Sequence, residues 1–187
     1  MSQKPIRTQS SQILMVDVQS SLYTALDGAE AMLKKCLTLL TAGQRLGIPI
    51  TAVEQNPQGL GHTVAPLSEF ASDTFVKTTF SAFGHTPLSS HLNNLQRSQQ
   101  RNDLILFGCE AHVCLLQTAL DAKRAGYNSA VVWDACASRY EQDRDIAKHR
   151  LLAAQCTLVT TESLVFEWLE DYQHPQFKSL IAQIKQH

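Results

Sequence analysis

No apolar run in this chain of 187 residues reaches the ~18 residues that a membrane-spanning helix needs. The start, Met1-Ser2-Gln3-Lys4-Pro5, has no apolar segment of the kind that secretory leaders carry. Basic clusters are missing as well. Lys and Arg total 16 against 17 Asp and Glu, a net charge of −1, so the chain lacks the electrostatic footprint that nucleic acid or an anionic membrane selects. There is also no CxxC pair. The cysteines are odd in number (Cys36, Cys109, Cys114, Cys136, Cys156), which argues against a disulfide framework and against a zinc knuckle. These absences lead to the expectation of a cytoplasmic protein with reduced thiols and with no nucleic-acid or membrane partner.

What is present is alternation. Short β-rich runs at Gln12–Val18, Ile48–Val53, Thr74–Thr78, Asp103–Phe107, Ser129–Trp133 and Cys156–Thr160 are separated by stretches of helical period. The helical stretches are Ala29–Leu46, Thr86 to about Gln99, His112–Ala125, Glu141–Ala154, Glu162–Asp171 and Pro175–Lys185, with Thr86-Pro87 read as N-cap and first helical residue. At this length and with this pattern, residues 1–187 form one α/β domain: a three-layer αβα sandwich around a six-stranded, mainly parallel sheet of Rossmann-like kind. The polar loop Glu54–Ser72 is long enough to suggest a functional role.

Ligands of open parallel sheets bind beyond the carboxyl ends of the strands, where the winding reverses. Three reactive side chains fall at such ends: Asp17 closes the first strand, Lys77 closes the third, and Cys114 opens the helix after the fourth. If strands one and four are neighbours, Asp17 and Cys114 face each other across the switch point. A thiol in a first helical turn meets the positive end of the dipole and unpaired N–H groups, which lower its pKa and can receive an oxyanion. Asp17 can take the thiol's proton and later protonate a leaving amine, while Lys77 balances charge and orients the pair. Each residue also has an ordinary reading: Asp17 as a cap, Lys77 as a surface lysine, Cys114 as a buried core thiol.

Other groupings are weaker. His112 lies two residues before Cys114, roughly 200° around a helix, so it reads as a local hydrogen-bonding residue, not the thiol's base. His62, His85 and His91 lack zinc spacing. Asp134 reads as a turn or cap residue, with Arg139 paired to it or to the sheet edge. Tyr23, Phe80 and Phe83 are pocket candidates, with core packing as the ordinary reading of the two phenylalanines.

Four segments together resemble the isochorismatase-like superfamily of cysteine hydrolases, over roughly residues 10–165. They are Ile13-Leu14-Met15-Val16-Asp17-Val18-Gln19, Val76-Lys77-Thr78-Thr79-Phe80-Ser81-Ala82-Phe83, Phe107-Gly108-Cys109-Glu110-Ala111-His112-Val113-Cys114 and Trp133-Asp134-Ala135-Cys136-Ala137-Ser138-Arg139. The resemblance implies a catalytic Asp17–Lys77–Cys114 triad and a cis peptide at Cys109–Glu110. It also implies an oxyanion hole made by the Glu110 and Cys114 N–H groups, and a homo-oligomer, dimer or larger. Nicotinamidases of this superfamily carry an Asp-x-His metal site, whereas this chain has Val53-Glu54-Gln55-Asn56-Pro57 there. The run from Glu54 through Gly61 resembles instead a subgroup of uncharacterised isochorismatase-domain proteins. Isochorismatases proper lack the cysteine and cleave a vinyl ether. The presence of Cys114 therefore points to the amidase-like branch, which works through a thioester on a small-molecule substrate, without metal or cofactor. The alternatives are vinyl-ether hydrolysis and a non-catalytic interaction or redox protein on the same fold.

Overall fold

The structure, a computed structural model, describes residues 4–185. Its strands are β1 Ser11–Val16, β2 Ile50–Gln55, β3 Asp73–Lys77, β4 Asp103–Gly108, β5 Asn128–Cys136 and β6 Thr157–Val159. They form one six-stranded sheet in the order β3-β2-β1-β4-β5-β6, and every pairing is parallel. The helices are α1 Ser20–Tyr23, α2 Ala29–Arg45, α3 Pro57–Leu60, α4 Thr86–Gln99, α5 Leu116–Arg124, α6 Glu141–Ala153, α7 Thr161–Leu169 and α8 Phe177–Ile184. Helices α2, α7 and α8 pack together in one layer, and α5 packs beside α6 in the other. A sheet covered on both faces needs strands that are apolar throughout, and β1 and β4 are buried at every position. Among the described residues no helix is long and apolar enough to cross a membrane.

The order places β1 beside β4, so the winding reverses between the strands that end at Val16 and Gly108. These two ends approach closely. A Cβ on Gly108 would stand 2.1 Å from the Val16 carbonyl oxygen, and Gly108 holds φ at +124°. Only glycine allows that contact. Cys109 N–H then donates to the same Val16 oxygen at 2.9 Å, carrying the chain directly into the turn before Cys114.

Several boundaries differ from expectation for local reasons. The helix expected at His112–Ala125 begins as a π turn, Ala111–Leu115, in which Leu115 N–H reaches back to Glu110 O at 3.3 Å, before α5 starts at Leu116. One additional residue in the turn is invisible to a 3.6-residue period. Thr86 is already helical, and His85 occupies the N-cap position. The long loop contains α3, a short 3₁₀ turn at Leu67–Glu69 and a cis Ala65–Pro66 bond.

Candidate active site

Asp17 follows β1 directly, with its N–H on Val53 O at 3.1 Å and φ at +49°. A left-handed aspartate costs on the order of 1 kcal/mol. Its carboxylate lies with the Lys77 ammonium, Nζ to Oδ2 at 2.6 Å, and both side chains are wholly buried. Lys77 closes β3 two strands away, and its length carries the charge under β2 to the switch point. A second acceptor, Gln55 Oε1 at the end of β2, takes another ammonium N–H at 2.8 Å. The carboxylate's other oxygen, Oδ1, is buried with no conventional hydrogen bond.

The Cys114 thiol sits beside this pair on the π turn and interacts with both charges. It is 5% exposed. Asp17, Lys77 and Cys114 thus come together from three separate elements. Sequence reasoning expected a lowered thiol pKa from the helix N-terminus. Burial, and after it the Asp17 carboxylate, outweigh that effect and push the thiol up to about 12, even though Lys77 pulls the other way. Burial also raises Asp17, against the pull of Lys77. Both groups therefore hold a proton more tightly than in water, and the resting site carries a thiol.

The turn before the thiol is tied from several sides. The Cys109–Glu110 peptide is cis. Cys109 Sγ donates to the Asp17 carbonyl at 2.9 Å, and Ala111 N–H donates to Ala137 O at 2.9 Å. Glu110 N–H makes no hydrogen bond to another group among the described residues. The Glu110 carboxylate accepts from Arg139 Nε at 2.9 Å, so Arg139 pairs with this turn and not with Asp134. Asp134 instead accepts from Thr161 N–H at 2.8 Å, satisfying a free donor at the start of α7. His112 Nδ1 meets Ser138 Oγ at 3.0 Å, a local bond away from the thiol.

Tyr23 is half-buried on α1 and packs on the core, and Phe80 is 56% exposed. Phe83 turns its ring edge to Tyr127, centroids 5.7 Å apart. Two residues that sequence reasoning passed over do belong here, namely Gln55 and Gln19. Gln55 ends β2 at the carboxyl edge, and the same rule that selects Asp17 and Lys77 would have selected it. Glu54 is engaged by the loop: Oε1 accepts from Thr63 N–H at 2.7 Å and Thr63 Oγ1 at 2.8 Å, and Oε2 meets His62 Nδ1 at 3.0 Å. Burial raises its pKa, but these hydrogen bonds prevail and hold it below the usual value. No three His, Cys, Asp or Glu side chains among the described residues are grouped as metal ligands. A concavity of about 900 Å³ lies at the opposite edge of the sheet, by Asp103, Ser129 and Cys156, and includes none of the triad.

The description "Isochorismatase domain" belongs to the family model that matches residues 11–163. The chain belongs to the isochorismatase family. Isochorismatase domain-containing protein 2B of Mus musculus is 34% identical over 178 residues, covering 95% of this chain and 82% of that protein. Among solved structures, the MAR1 ribonuclease from Caenorhabditis elegans superposes with a TM-score of 0.89 at 32% identity, covering 97% of this chain and 93% of that one. YcaC from Pseudomonas aeruginosa also reaches 0.89, at 20% identity with 98% and 93% covered, a likeness of fold. The all-parallel sheet described above is therefore the isochorismatase-family hydrolase fold.

Proposed function

We propose that this protein is a cysteine hydrolase of small amide-type or related acyl substrates. The observation that carries the reading is the buried Asp17–Lys77 pair at 2.6 Å beside the Cys114 thiol, which interacts with both charges. A carboxylate in contact with a thiol suits a base that takes the thiol's proton when substrate arrives. The pKa of Asp17 is raised, which makes it a better base than a solvated carboxylate.

In the proposed reaction Asp17 receives the Cys114 proton as sulfur bonds to the substrate carbonyl carbon. The resulting oxyanion is held by the Glu110 and Cys114 N–H groups. The C–N bond then breaks, the amine leaves with the proton from Asp17, and a thioester remains. Water attacks the thioester, giving a proton to Asp17. The C–S bond breaks to release the acid, and that proton returns to the thiol. Lys77 stays charged throughout, stabilises whichever of Asp17 and Cys114 is anionic, and fixes their orientation. Tyr23, Phe80 and Phe83 are kept as candidates for the walls of the substrate pocket.

The name of the Caenorhabditis elegans relative makes RNA a second substrate to assay. Lys and Arg are not clustered along the sequence and the net charge is −1, so the amide reading is preferred. We also assign the protein to a reducing, cytoplasmic compartment, because all five cysteines are free thiols, and to a homo-oligomer, to be tested by light scattering. The deciding experiment is Cys114→Ala, screened with amides, ureas, isochorismate and RNA. Turnover of amide substrates should fall by ~10⁴-fold or more, as when a nucleophile is removed elsewhere. Hydrolysis of isochorismate that survives the substitution would support the vinyl-ether reaction and sink the amide reading.

A further inference from the structure

We propose that Gln55 is a positioning residue that holds Lys77, and through it Asp17, in register with Cys114, and that the site requires its side chain to be uncharged. This inference rests on the cysteine-hydrolase reading above.

A buried ammonium needs partners for its N–H groups. Lys77 finds Asp17 Oδ2 at 2.6 Å and Gln55 Oε1 at 2.8 Å, with the Cys114 sulfur beside them. The Gln55 amide cannot turn over without loss, because its Nε2 donates to Thr78 O at 2.7 Å. A reversed amide would set N–H groups against the ammonium and the carbonyl oxygen against another carbonyl. The side chain therefore bridges β2 and β3, holding the lysine by its charged end and by the residue that follows it.

The backbone of Gln55 is gripped in turn by Gln19, two residues past Asp17 and fully buried. Gln55 N–H donates to Gln19 Oε1 at 2.7 Å, while Gln19 Nε2 donates to Gln55 O at 3.1 Å and to Gly61 O at 2.5 Å. The strand that supplies the carboxylate and the strand that supports the lysine are thus joined by a pair of amides. The same pair anchors the loop beyond β2.

Neutrality follows from the charges that meet here. Cys114 on the π turn faces Asp17 from β1 and Lys77 from β3, and the Cys109 thiol lies against the Asp17 backbone. One carboxylate and one ammonium cancel, so moving a proton from Cys114 to Asp17 leaves the net charge at zero. A second carboxylate on Lys77 would hold the lysine equally well. It would also leave the site negative and oppose formation of the thiolate. Glutamine supplies an acceptor without that opposing charge.

The test is the pH dependence of Cys114 alkylation by iodoacetamide, read by peptide mass spectrometry from pH 6 to 11, in wild type, Gln55→Glu and Gln55→Met. Urea midpoints are measured in parallel. A carboxylate at residue 55 should move the profile to higher pH and slow alkylation at pH 8 by roughly tenfold or more. Methionine, similar in length and uncharged but without a strong acceptor for the ammonium, should slow alkylation, because Lys77 then loses its hold beside Cys114, but less than glutamate does. A methionine profile that overlays wild type would overturn the positioning role. If Gln55→Glu does not fold, the methionine variant carries the test. A Gln55→Glu profile that overlays wild type, with only the urea midpoint changed, would reduce Gln55 to a structural role and overturn the proposal. Equal slowing in both variants would overturn it too. Failure of wild-type Cys114 to react at any pH would instead strike at the hydrolase reading on which the proposal rests.

Discussion

Replacing Asp17 with asparagine separates the two things this carboxylate does. It raises the thiol's pKa by its charge, and in the proposed mechanism it takes and returns the proton. Asparagine keeps the shape and removes the charge. Two unit charges ~4 Å apart at an effective dielectric of ~20 interact by about 4 kcal/mol, or nearly 10³-fold in an ionisation constant. Part of that is already offset, because the Asp17 charge is shared with Lys77 at 2.6 Å. Loss of the carboxylate should therefore raise the Cys114 thiolate fraction at pH 8 by roughly 10- to 100-fold. Alkylation of Cys114 should accelerate by that factor while amide turnover collapses. A buried ammonium without its carboxylate costs about 3–5 kcal/mol of stability, so alkylation must be measured well below the urea midpoint. Cys36 and Cys109 at 0% exposure, and Cys136 and Cys156 at 3%, serve as internal controls, since global opening would label them too. Slower or unchanged alkylation of Cys114 in a variant whose other thiols stay protected would refute the electrostatic account of the site.

Two further outcomes follow from the fold around the site. Gly108→Ala places a Cβ 2.1 Å from the Val16 carbonyl at a φ of +124°, so β4 must shift away from β1. A loss of at least ~2 kcal/mol is expected in urea unfolding, from overpacking and backbone strain together, and a loss below 0.5 would show that the two strand ends give way easily. The second concerns alkaline pH. Cys114 and Cys136 keep their protons up to about 12 in the folded chain, against a model-peptide value of 9.0, so between those limits the folded state binds more protons than the unfolded state. Stability should thus be fully present below about pH 9 and decline as pH rises above it, by up to ~1.4 kcal/mol per unit for each such thiol. Urea midpoints at pH 8 and pH 10.5 check the sign, and Cys136→Ala should decline less steeply.

Much of the architecture was legible because hydrophobic period and topology constrain each other. Six short apolar runs between amphipathic stretches leave few arrangements other than a covered parallel sheet. The strand-end rule then singles out Asp17, Lys77 and Cys114. The same rule covered Gln55, but an uncharged amide carries no chemical signal until the lysine it holds is located. The π turn at Ala111–Leu115 was hidden because its one extra residue leaves the apolar pattern of the following helix intact. The sequence leaves Arg139 to pair with Asp134 or with the sheet edge, while the fold gives Asp134 to Thr161 and Arg139 to Glu110. Pairings of that kind depend on which loops meet above the sheet.

The alternation of strands and helices, the residues that can do chemistry, and the family all depend on residue type, period and order along the chain, and are readable there. The proton affinities of the site come from packing instead. A thiol near a helix start should be acidic when considered locally, yet Cys114 is held up to about 12 by its burial and by a carboxylate nearly a hundred residues away in the chain. Desolvation and long-range charge belong to the packed molecule, and no local reading of the turn around Cys114 contains them.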